Sequence, residues 1–131
     1  ADNYGVSVTY GVVENSGLTN EDTYTAFNAF YLPEGSNLPS LSVGYETEET
    51  SGVEKTGYFL GLTFPEVGPG SVSLGAATSA NYKSTETEYM IYEAAYAYPV
   101  SDGLTITPGV FIEETNGDDL TGVIVKSSFS F

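Results

Sequence analysis

The feature that most limits what this chain can fold into is a two-residue alternation that recurs eight times along it. It is plainest over residues 120–131 (LTGVIVKSSFSF), where Val123, Val125, Phe129 and Phe131 share one side. Gly122, Ile124, Lys126, Ser128 and Ser130 share the other. A period of two belongs to a β-strand, because successive side chains point to opposite faces of the pleat. The same pattern sets Tyr4, Val6, Val8, Tyr10 and Val12 against Gly5, Ser7, Thr9 and Gly11. It returns over 40–47, where Leu41, Val43 and Tyr45 face away from Ser42, Gly44 and Glu46. Over 56–64, Tyr58, Leu60, Leu62 and Phe64 oppose Phe59, Gly61 and Thr63, and over 104–113, Leu104, Ile106, Val110 and Ile112 oppose Thr105, Thr107, Phe111 and Glu113.

Three further segments are less clear. Residues 23–32 carry aromatics on both sides, Tyr24 and Phe30 against Phe27 and Tyr31. Residues 71–81 are Ala-rich and alternate weakly. Residues 89–100 contain helix-forming Glu and Ala, yet Met90, Tyr92, Ala94, Tyr96 and Tyr98 recur at a spacing of two and predict a strand. No stretch carries helix start and stop signals. The expected fold is therefore all-β, an antiparallel up-and-down arrangement of eight strands forming one domain over 1–131.

The connections differ at the two ends. Those after the odd-numbered strands (ENSGLTNED, EETSGVEK, YKSTETE, ETNGDD) are mostly long and acidic, and those after the even-numbered ones (PEGSNLP, PEVGPG, SDG) are short and rich in Pro and Gly. With Glu46 and Glu113 at the strand tips, 13 of the 18 carboxylates collect at the odd-numbered end. Long loops on one side and short turns on the other are the habit of up-and-down membrane barrels. Tyr4, Phe64, Tyr98 and Phe129 read as an interfacial girdle at the short-turn end, and a final strand closing on an aromatic residue suits the same setting.

Composition removes several function classes. Cysteine, histidine and arginine are absent, which takes away thiol chemistry, the usual general base and the bidentate phosphate reader. Eighteen acidic residues against 3 basic ones give a net charge of −15, which repels nucleic acid and draws cations. No apolar run reaches the ~18 residues of a membrane-spanning helix, and the start ADNYGVSV lacks signal-peptide regions, so a mature chain or an excised fragment is expected. Paired carboxylates (Glu48/Glu49, Glu113/Glu114, Asp118/Asp119) sit in loops without the apolar pocket that hydrolase chemistry requires. Asp118 and Asp119 follow Asn116-Gly117 without the ligand spacing of a calcium loop. No enzyme, cofactor or dedicated metal site is expected.

The candidate site is instead a lined passage. Glu93 and Lys126 are mid-strand charges on the side opposite the aromatics, either a mutually compensating pair or pore-lining charges that tune selectivity. Glu113 and Phe111 are the other candidate pore-lining residues. Glu46, Glu48, Glu49, Glu86, Glu88, Asp118 and Asp119 are the candidate acidic loop mouth.

The stretches YAYPVSDGLTITPGVFIEE (96–114), FPEVGPGSVSLGAA (64–77) and GVIVKSSFSF (122–131) resemble the C-terminal part of cyanobacterial outer-membrane porins, grouped with the carbohydrate-selective OprB-type family. Members of that family usually carry an S-layer homology region and a coiled segment before a barrel of about sixteen strands. The resemblance implies an eight-stranded half of such a barrel, located in the cell outer membrane. It also implies passive transport of small solutes and inorganic ions, lipid as the main partner and a possible homo-oligomer. A soluble or fibre-forming all-β domain, pairing through its last strand, has the same alternation with the faces reversed.

Overall fold

The computed structural model describes residues 3–14, 21–34, 38–50, 52–79 and 88–131. Eight strands follow one another: β1 (Tyr4–Glu14), β2 (Glu21–Tyr31), β3 (Ser40–Thr50), β4 (Val53–Val67), β5 (Gly70–Thr78), β6 (Met90–Ser101), β7 (Leu104–Glu113) and β8 (Leu120–Phe129). They form one sheet in sequence order, and every neighbouring pair is antiparallel. The all-β, up-and-down expectation holds, including the strand over 89–100 that could have read as a helix. The sheet is open: β1 and β8 are its two edges and do not pair with each other.

Two local expectations are corrected. The charged stretch 48–55 is not a loop, because β3 and β4 stay in register through Glu48↔Lys55 and Glu49↔Glu54 up to Thr50↔Val53. Gly52 at the tip has φ 78, in the left-handed region where glycine carries no Cβ penalty. At the other end, Pro65 does not stop β4, which continues to Val67. The register shifts between Phe64 and Val67, and an irregularity of this kind accommodates a residue with no N–H to give to the ladder. Beyond it Val67 pairs with Gly70, and the Tyr96 hydroxyl donates to the Val67 carbonyl at 2.9 Å. Gly70 is needed there, since a Cβ would come within 2.1 Å of the Ala97 carbonyl oxygen.

Registers assign every side chain to a face. Val8 stands opposite Phe27, which stands opposite Tyr45, which stands opposite Tyr58. This settles the double-faced β2: Phe27 and Tyr31 join the apolar face, and Tyr24 and Phe30 the polar one. The line of directly opposed residues starting at Tyr4 runs through Tyr31, Leu41, Leu62, Leu74, Ala94 and Val110 to Val123. The aromatic that matches Tyr4 on β8 is Phe129, six residues below Val123. A border that slips six residues over seven strand spacings means strands inclined by roughly 30° to the band, near the tilt of closed barrels.

No hydrophobic residue is buried among the described residues. The chain exposes 9109 Å², against roughly 6,700 Å² for a folded monomer of this mass. A single layer with two open edges leaves its apolar face uncovered.

Candidate functional site

The apolar face is bordered rather than capped. Tyr4 and Tyr10 on β1, Tyr58 and Phe64 on β4, and Tyr92 and Tyr98 on β6 are each six residues apart. Between them lie Val6 and Val8, Leu60 and Leu62, and Ala94 with Tyr96. Six residues of strand span about 20 Å, so the two rows of rings bound an apolar band of about that height. The lower row contains the four residues read from the sequence, Tyr4, Phe64, Tyr98 and Phe129, and also Tyr31. The upper row of Tyr10, Tyr45, Tyr58 and Tyr92 was not anticipated, and the six-residue spacing was the signal that could have shown it.

The opposite face is thin. Gly5, Gly11, Gly44, Gly57, Gly61, Gly75, Gly109 and Gly122 all point to it by register, among Ser, Thr and Ala. Three phenylalanines on this face lie over glycines of the adjoining strand: Phe30 over Gly5, Phe59 over Gly44 and Phe111 over Gly122. In each case an added Cβ would fall 2.3 Å or less from a ring carbon. Aromatic cover of this kind fills the gap a strand glycine leaves and pins register. Phe111, expected simply to line a pore, therefore lies flat against the wall.

The four candidate pore-lining residues share this face. Glu93 stands opposite Phe111, Glu113 opposite Ile91, and Lys126 opposite Thr107. Glu93 and Lys126 are two strands and four residues apart, roughly 16 Å, so they are not the mutually compensating pair. The ion pair found among the described residues is Lys55–Glu48, at 3.8 Å across β3 and β4. Glu48 also accepts from the Thr50 hydroxyl at 3.0 Å.

The acidic end is built partly from strand and partly from loop. Glu46 and Glu48 lie within β3 on the polar face, and Glu49 lies within β3 on the apolar face, directly opposite Glu54. A shallow depression of about 290 Å³ is lined there by Tyr24, Glu46, Glu48, Lys55, Gly57, Thr78 and Ser79 among others. Glu113 accepts a hydrogen bond from the buried Ser79 hydroxyl, and Glu114 accepts from the Met90 N–H at 3.1 Å, so both carboxylates brace the tips of β5, β6 and β7. Asp118 and Asp119 are exposed in the β7–β8 loop, where the Asp118 carbonyl accepts from Thr115 at 2.8 Å. Glu88 is exposed just before β6, and Glu86 lies outside the described residues. Compared with known protein families, curated proteins and solved structures, the chain matches none.

Proposed function

We propose that this chain forms part of the wall of an outer-membrane porin, a passive conduit for small hydrophilic solutes and inorganic ions whose acidic end favours cations. The observation that carries the reading is the two-faced single layer. One face is apolar between two tyrosine-rich borders, with Ser127 as its polar exception, and the other is mostly glycine, serine, threonine and alanine with isolated charges and the rings of Tyr24, Phe30, Phe59 and Phe111. Lipid satisfies the first face, and water satisfies the second. An apolar face turned toward a soluble core would not call for polar-tipped rings along both of its margins.

Both free edges support a wall larger than eight strands. In a closed eight-stranded barrel, side chains fill the interior, and eight glycines among mostly small residues make a thin lining, with Tyr24, Phe30, Phe59 and Phe111 as its bulky exceptions. β1 and β8 run in opposite directions, so a second even set of strands with the same alternation continues the ladder from both sides. Eight more would make the barrel of about sixteen strands that the sequence resemblance implies. The free edges are equally the feature that favours the second reading, an all-β assembly domain that adds strands from other chains.

Planar-bilayer reconstitution of the chain, alone or within its parent polypeptide, separates these readings. Stepwise conductance is expected. A water-soluble species that leaves bilayers silent would overturn the porin assignment.

A further inference from the structure

Resting on the porin reading, we infer that Glu93 and Lys126 set the ion selectivity that survives at high salt, and that the acidic rim acts only at low salt. The argument is one of height on the wall. The upper aromatic border passes through Tyr92, which stands in line with Ile112 and Thr121, and because the border slips by about one residue per strand it reaches β8 near Val123. Glu93 lies one residue inside that border, toward Tyr98. Lys126 lies three residues above Phe129 of the lower border. Among the described residues of the polar face, these two are the charges between the rows. Glu113 lies beyond Ile112, Glu46 and Glu48 beyond Tyr45, and Lys55 beyond Tyr58.

Neither charge is quenched by its surroundings. Neither forms an ion pair among the described residues, where the pair present is Lys55–Glu48. Glu93 rises between Gly75 on one side and the flat-lying Phe111 on the other, and Lys126 stands beside Thr107. Both are exposed. An ion that crosses the band along the wall passes these charges close by, whereas the rim carboxylates stand beyond the band, many of them on loop tips. Screening acts on that difference: the Debye length is about 10 Å at 0.1 M and about 3 Å at 1 M. Rim charges spread over loop tips lose their influence over this range. A wall charge within a few ångströms of the path keeps part of its influence. In water at roughly 7 Å a unit charge changes local ion concentration about two- to threefold, which sets the expected size of each effect.

The test is the K⁺/Cl⁻ permeability ratio from reversal potentials in KCl gradients centred near 0.1 M and near 1 M. The variants are Glu93→Gln, Lys126→Gln and the paired rim change Asp118→Asn with Asp119→Asn. At the lower salt, Glu93→Gln and the rim change should reduce the ratio and Lys126→Gln should raise it, the wall changes by about twofold or more. At the higher salt the rim effect should vanish while the two wall effects keep their signs. As a control against misfolding, Lys126→Cys can be assembled first and then modified. A cationic thiol reagent should restore the original ratio, and an anionic one should raise it further. Rim-only control at both salts, or no response at 93 and 126, would overturn the inference with conductance intact. Absence of conductance would instead count against the porin reading itself.

Discussion

Adding one methyl group at Gly122 should change sign in its effect, according to whether Phe111 is present. An ideal Cβ at Gly122 would lie 2.3 Å from both Cε1 and Cζ of Phe111. The ring must leave, since carbon atoms do not approach so closely. The lost contact, taken as roughly 50 Å² of apolar surface, costs about 1.3 kcal/mol, and overpacking studies place such changes at about 1–3 kcal/mol. Against this, replacing a strand glycine by alanine reduces the freedom of the unfolded chain and returns about 0.5 kcal/mol. Gly122→Ala should therefore destabilise by about 1 kcal/mol. In a Phe111→Ala background the clash is gone and the same change should stabilise by about 0.5 kcal/mol, a coupling of about 1.5 kcal/mol. Gly11→Ala supplies the internal control, because nothing lies within 4 Å of its Cβ position, and it should stabilise in the unmodified chain. Urea unfolding of vesicle-embedded protein, followed by tyrosine fluorescence or circular dichroism, reads all four. Equal effects of Gly11→Ala and Gly122→Ala, or additivity in the double variant, would refute the ring-over-glycine account.

Neighbouring positions on β8 carry the remaining predictions. Val125→Arg places a charge on the lipid side near mid-band and should cost about 2–4 kcal/mol and impair assembly, read as loss of folded protein in the membrane fraction. Ile124→Arg points to the water side, so folded yield should stay close to that of the unmodified chain, and a loss equal to that of Val125→Arg would contradict the facing.

Much of this architecture was legible because a strand's periodicity is local. Eight alternating runs predicted eight strands, whereas the contrast of long loops and short turns held only in part, since β3 and β4 join through a tight turn and β2 and β3 through residues 32–39. What failed was read from residue type without a partner. Glu48, Glu49, Glu54 and Lys55 look like a solvated loop until Glu48 is seen opposite Lys55, where the charges sit on paired strands. Pro65 reads as a stop because its missing N–H is visible in sequence, whereas the register shift that absorbs it is not. Phe59 and Phe111 read as bulk on a polar face, since only the register shows that each covers a glycine on the adjoining strand. The separation of Glu93 from Lys126 was hidden for the same reason.

The central claim is that the apolar face meets lipid and the polar face meets water, and thiol accessibility at two adjacent residues tests it most directly. The chain has no native cysteine, so Ile124→Cys and Val125→Cys each give a single reporter. In the membrane-embedded protein, the thiol at 124 should react with a small water-soluble reagent, and the thiol at 125 only with a lipid-dissolved one. Reaction of both with the aqueous reagent, or protection of 124 with labelling of 125, would contradict the account.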